Sequence, residues 1–181
     1  MPELLEWNRR IERADRPCVL KYVATFCIAC LIGGHAVAAE YFVDNASSAP
    51  GDGRSWATAW RSFDRIDWRA IRPGDTLNVS GGAGSKVYRE TLTVGASGTS
   101  SQPIVVRAAE APGHDGKVIL DAENSRYYGV VVDSVNHVRV AGFTVRNVGD
   151  AGVRVRWSTA GVVVEKTTVD AGNPSGVYNA R

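Results

Sequence analysis

The side chains with the clearest chemical capacity lie near the end of the chain. Arg154 and Arg156 flank Val155 in GVRVRW. On a strand, where successive side chains alternate, both leave from one face. Two guanidinium groups on a face could hold a carboxylated ligand, and Trp157 beside them could stack on a sugar ring. Corner packing accounts for Trp157 equally well. Further on, Glu165 and Asp170 could supply hard oxygen ligands, with Lys166 as a base. A plainer reading stands beside this one. Asp133 precedes Arg156 by 23 residues and Arg146 precedes Asp170 by 24, so each pair could set opposite charges side by side. Such solvated pairs contribute about 0–1 kcal/mol.

Other titratable groups point less clearly to chemistry. His114 falls in the turn APGHDGK and reads as solvent-facing; His137, just before Val138, reads as a corner residue. Asp44, Asn45 and Asp52 resemble a calcium-friendly loop but lack the EF-hand spacing, which favours a structural turn.

The elements that would position these residues repeat. Gly129, Gly152 and Gly176 open three similar lines. Val130 and Val132 match Val153 and Val155 at a spacing of 23; Val138, Val140, Thr144 and Val145 match Val162, Val164, Thr168 and Val169 at 24. A unit of this size cannot bury its apolar face alone, so stacked copies must share a core. The sequence therefore predicts an all-β solenoid, a coil of parallel strands about 4.8 Å apart with valine columns along its axis. An antiparallel sandwich would need no common phase. The three glycines are expected at one repeated corner.

Three segments follow. Residues 1–39 read as an export leader: YVATFCIACLIGGHAVA carries no Asp, Glu, Lys or Arg and ends in small residues. A retained anchor is the alternative, and acidic residues before Lys21 suggest a start near Val19 or Leu20. Residues 40–75 read as an entry strand (YFVD), a turn-rich loop and an amphipathic helix over 57–71, stopped by RPGD. Residues 76–181 read as short strands: TLNV, TLTV, IVVRA, KVILDA, GVVVD, HVRVAGFTV, GVRVRW and GVVVEKTTV. The last copy starts at Gly176 and the chain ends at Arg181, so the coil is expected to be C-terminally truncated. Its open edge could support self-association.

Charge and cysteine usage narrow the classes. Net charge is +2, and beyond residue 39 there are 16 basic against 15 acidic residues, which argues against nucleic acid as a partner. All three cysteines lie in the leader, so the remainder has no disulfide, thiolate–zinc site or thiol nucleophile. Once the leader is cleaved, no stable membrane association is expected, and the location is secreted, periplasmic or cell-surface.

YFVDNASSAPGDGRSWATAWRSF, RPGDTLNV, VYRETLTV, GTSSQPIVVRA and VRVAGFTVRN resemble the right-handed parallel β-helix proteins of the pectate-lyase type. The entry segments of chondroitinase-B-like and alginate-lyase-like enzymes, and uncharacterised β-helix repeat proteins, are the most similar. The resemblance covers nearly everything from Tyr41 onward. It implies that the 57–71 helix caps the coil. It also implies a lineage of polysaccharide lyases that act by β-elimination on acidic polysaccharides, in some cases with Ca2+. In that chemistry a cation neutralises the uronate carboxylate and a Lys or Arg removes the C5 proton. Arg154, Arg156 and Lys166 are then the catalytic candidates, Trp157 the substrate-binding candidate, and Glu165 and Asp170 the metal candidates. The alternative is a non-catalytic surface or adhesive solenoid that binds glycans or a partner.

Overall fold

A computed structural model describes residues 37–48, 51–157 and 159–170, and the backbone of 175–180. The segment read as an export leader lies outside the described residues up to residue 36.

The strands wind through three parallel sheets in strict rotation. β1 (Glu40–Val43) enters the first sheet. A first turn follows as β2 (Thr76–Val79), β3 (Ser85–Tyr88) and β4 (Leu92–Thr93), one strand for each sheet. The second is β5 (Ile104–Ala108), β6 (Lys117–Asp121) and β7 (Tyr128–Asp133). The third is β8 (Val138–Ala141), β9 (Phe143–Arg146) and β10 (Ala151–Arg156). β11 (Val163–Glu165), β12 (Thr168–Asp170) and β13 (Ser175–Ala180) form the fourth. The sheets run β1-β2-β5-β8-β11, β3-β6-β9-β12 and β4-β7-β10-β13. Every pairing is parallel and each links one turn to the next. This is the expected coil.

The repeated valines fall where their phase requires. Leu92, Val130 and Val153 stack in register in the third sheet, and Tyr88, Leu120 and Val145 in the second. Tyr41, Leu77, Val106 and Val140 do the same in the first. All ten are essentially inaccessible to solvent. Because each column places like side chains at strand spacing, burial of one turn depends on the next.

Two expectations need correction. Residues 57–71 do not form a helix; the segment makes two short 3-10 turns, Trp56–Thr58 and Phe63–Arg65, with Ser55 and Ser62 at their N-caps. Between them the chain is extended and runs along the outer edge of β1. Trp60 N–H donates to Phe42 C=O at 2.9 Å, and Asp44 N–H donates to Trp60 C=O at 2.8 Å. An α-helix would consume those same backbone groups internally and leave the edge of β1 unpaired. The apolar residues still cap the coil: Trp60, Phe63, Ile66 and Ile71 are buried, and Trp60 stacks on Tyr41 with centroids 5.5 Å apart. The turn at RPGD is present, closed by Asp75 N–H on Arg72 C=O.

The second correction concerns corners. Gly129, Gly152 and Gly176 lie inside β7, β10 and β13, near their starts. A Cβ on Gly129 would stand 2.2 Å from Val145 Cγ1, so the close approach of the second sheet's side chain excludes anything larger. The corner between the first and second sheets falls within runs that read as continuous strands. HVRVAGFTV breaks at Gly142 (φ 82°) and GVVVEKTTV at Lys166 (φ 50°), 24 residues later.

Leu120→Ala, in the middle of an inward column, is expected to cost about 3 kcal/mol of stability. Thr168→Ala, on an outward position, is expected to cost less than about 0.5 kcal/mol. Denaturant midpoints at constant m-value test the contrast; equal effects would contradict a shared core.

Candidate functional site

The outward face of the third sheet carries a compact group of charged and aromatic side chains. Arg154 stands between Tyr128 and Trp157, its guanidinium carbon 4.3 Å from one ring centroid and 6.0 Å from the other. Arg156 lies over the same indole at 4.4 Å. Tyr128 donates its hydroxyl to Asp150 at 3.0 Å. Trp157 is 56% exposed and Tyr127 is 69% exposed, so broad aromatic surface remains open to solvent.

Register places Asp133 opposite Arg156, as the spacing of 23 predicts. The ion pair, however, is made diagonally. Arg154 binds the Asp133 carboxylate through Nη2 and, at 3.3 Å, through Nε. Both partners are mostly buried. That hydrogen bond pushes the Arg154 pKa above its ordinary value, against a smaller opposing effect of burial. A guanidinium held charged in this way is a poor proton acceptor. Arg156 is left with Trp157 as its partner and makes no ion pair among the described residues.

The second expected pair also shifts. Asp170 is in register with Arg146, but Arg146 turns back to Asp121 at 2.9 Å. Asp121 also accepts from Asn147 and from the Glu123 backbone, 2.9 Å each. Burial works against its charge, yet these donors together hold its carboxyl below the usual carboxylate range.

The remaining candidates lie elsewhere. Glu165 ends β11 in the first sheet and is bound by Arg139 at 2.9 Å. Lys166 is the corner residue that follows, and Asp170 belongs to the second sheet. The fold thus brings Arg154, Arg156 and Trp157 together and leaves Glu165, Lys166 and Asp170 off their face. Among the described residues no three His, Cys, Asp or Glu side chains converge.

His137 is a corner residue as read, with its backbone N–H on Ala160 C=O at 2.7 Å. His114 is not solvent-facing. Its ring stacks on Trp56 at 3.7 Å, and Nδ1 lies 2.8 Å from Ser80 Oγ and 3.5 Å from Asp44 Oδ2. Lys86 closes this cluster on Asp44. Asp44 is therefore part of a lock between the entry loop and the second turn. Burial works against its charge, but Lys86 and the Ala46 N–H together hold its carboxyl below the ordinary range. Asp52 serves the turn, accepting from Thr58 at 2.7 Å. Ser80 and Asp44 approach the same imidazole nitrogen of His114, Nδ1, so the trio cannot relay a proton across the ring as a nucleophilic triad does.

A second feature escaped sequence reasoning altogether. Between Phe63–Arg65 and the strand β4 an open cleft of about 390 Å³ is lined by Phe63, Ile66, Trp68, Glu90 and Thr93, with Asp64 at its edge. Burial pushes the Glu90 carboxyl up, the Phe63 N–H bonded to it at 2.7 Å opposes this, and the charge of Asp64 adds to the rise.

Solved structures share this architecture. A native GH136 lacto-N-biosidase from Eubacterium ramulus aligns with 77% of the chain at 13% identity and a TM-score of 0.60. Pectate lyase Pel9A aligns with 81% of the chain at 21% identity and a TM-score of 0.56. The matched region spans 30% and 38% of those chains, respectively. At these identities the likeness defines the fold, a parallel β-helix of the pectate-lyase type. No protein-family model and no curated protein sequence matches the chain.

A carboxyl whose pKa is raised on folding favours the folded state while protonated. That contribution is complete below the unfolded value and is lost as pH rises through the folded one. Glu90→Gln should therefore stabilise the protein at neutral pH. Its advantage should vanish below pH 4.5, the ordinary value for this carboxyl. Thermal midpoints of both forms across that range test it; a constant difference would contradict the assignment.

Proposed function

We propose that this chain belongs to an exported, right-handed β-helix protein of polysaccharide-active lineage, and that the outward face of its third sheet binds an acidic polysaccharide. The observation that carries the reading is Arg156 lying on the exposed indole of Trp157. A uronate ring has an apolar C–H face and a carboxylate on its edge. An indole with an adjacent guanidinium complements both at once. Solved structures with this fold include a pectate lyase and a lacto-N-biosidase, which supports the lineage. The leader-like stretch before residue 40 supports export. Among the described residues, no helix is long and apolar enough to cross a membrane.

The same geometry favours binding over catalysis in these turns. Arg154 is committed to Asp133 and stays charged, and Lys166 stands at the corner between the other two sheets. β-Elimination needs a base poised over the sugar C5 and a positive charge on the uronate carboxylate. The flank offers the second and not the first. We therefore assign this chain the role of a glycan-binding segment, without lyase activity of its own.

The full chain is expected to bind polygalacturonate or alginate in affinity electrophoresis, more weakly as salt rises. Arg156→Ala and Trp157→Ala should each weaken binding about tenfold. Asp133→Asn should strengthen it by freeing Arg154. Assays for unsaturated uronate products should stay negative. Failure to bind either polymer, or binding indifferent to both substitutions, would overturn the assignment.

A further inference from the structure

The cleft beside β4 lies at the first turn, two turns away from Arg154 and Arg156 along the same sheet. Its volume of about 390 Å³ is within the range of small-ligand sites. Phe63 and Ile66 give it an apolar base, both buried in the cap. Trp68 forms a wall, pressed onto the loop after β4. Gly95 makes that approach possible, since a Cβ there would lie 2.7 Å from Trp68 Cγ. The indole is thus held by backbone rather than by a mobile side chain.

The polar groups of the lining are Asp64, Glu90, Thr91 and Thr93. Glu90 is anchored through Oε2 by the Phe63 N–H, which fixes its carboxyl at the cleft. Thr93 is exposed on the outward face of β4. An indole that lines the same cleft as a fixed carboxyl and a hydroxyl suits a pyranose, which has an apolar face and a rim of hydroxyls. Charge then selects among sugars. The ionisable groups of the lining are Glu90 and Asp64, both acids. Two cations lie nearby: Arg65, 3.8 Å from Asp64 in a largely exposed and screened pair, and Arg126, which acts on Glu90 but is itself paired with Glu123 at 3.1 Å. A uronate entering here would meet like charge; an uncharged ring would not.

We propose that this cleft is a binding site for an uncharged pyranose, with Trp68 as the stacking surface and Glu90 and Thr93 as hydrogen-bonding partners. It is separate from the arginine flank and does not depend on uronate binding there. A polymer that reached both would present an uncharged residue at the first turn and an acidic one at the third.

Calorimetric titration of the full chain with cellohexaose, mannohexaose and chitohexaose tests the proposal. At least one should bind. Thr93→Phe, which blocks the mouth from an exposed position, and Glu90→Ala should each weaken that binding about tenfold. Arg156→Ala should leave it unchanged while reducing uronate binding. Absence of binding by all three uncharged oligosaccharides would overturn the proposal, as would binding that survives both cleft substitutions. Loss of uronate binding alone would leave it intact.

Discussion

Parallel, in-register hydrogen bonding between successive turns is the constraint from which the rest follows. Each strand finds its partners one whole turn away, so neither its backbone groups nor its inward side chain is satisfied locally. A valine in one turn must meet a valine, leucine or aromatic ring in the next, as Leu92, Val130 and Val153 do. The same register governs the outside. Outward residues also form columns at strand spacing, where like charges would repel directly. Opposite charges on adjacent turns relieve this, and Asp121 with Arg146 and Asp133 with Arg154 are the two instances on the second and third sheets.

A coil held together this way is exposed at its ends. Among the described residues no turn precedes β1, whose outer edge carries a row of backbone donors and acceptors. Residues 51–60 supply the missing partners from Gly53 and Trp60, and Trp60 covers Tyr41 at the same time. That is why a segment with helical spacing of apolar residues stays extended in its middle. Its aromatic and serine content gives a helix little intrinsic advantage, and a helix would leave the edge groups of Phe42 and Asp44 without these partners. The lock of His114, Asp44, Ser80 and Lys86 then ties this entry loop to the second turn through Trp56.

The solenoid was legible because inward positions repeat in type and phase: Val130 with Val153, and Val140 with Val164, are neighbours in space as in the alignment of repeats. His137 was legible as a corner, but the corners between the first and second sheets were not, since a single left-handed residue such as Gly142 or Lys166 interrupts a strand without disturbing its hydrophobic pattern. β3 was missed because SKVY is too short and too mixed to declare a period. The arginine group was legible as to face but not as to partner. Spacing fixes register, whereas a long guanidinium side chain reaches the diagonal neighbour as easily as the opposite one. Trp68 with Glu90, and Trp56 with His114, join segments related by no repeat, and nothing local in the sequence joins them.

The two uses of charge on the third sheet compete, and the competition explains which arginine is open. Arg154 stands two residues before the column of Asp133 and Arg156, flanked by Tyr128 and Trp157. From there it can give both nitrogens to Asp133 while its planar face stays packed, a geometry that Arg156 at the corner lacks. Once Asp133 is satisfied by Arg154, Arg156 rests on the Trp157 indole and has no ion-pair partner among the described residues. A cation–aromatic contact leaves the guanidinium's hydrogen-bond donors at the edge unused. The pairing that stabilises the coil between its second and third turns therefore also leaves a donor-rich cation beside an exposed ring, where a carboxylated sugar could satisfy both.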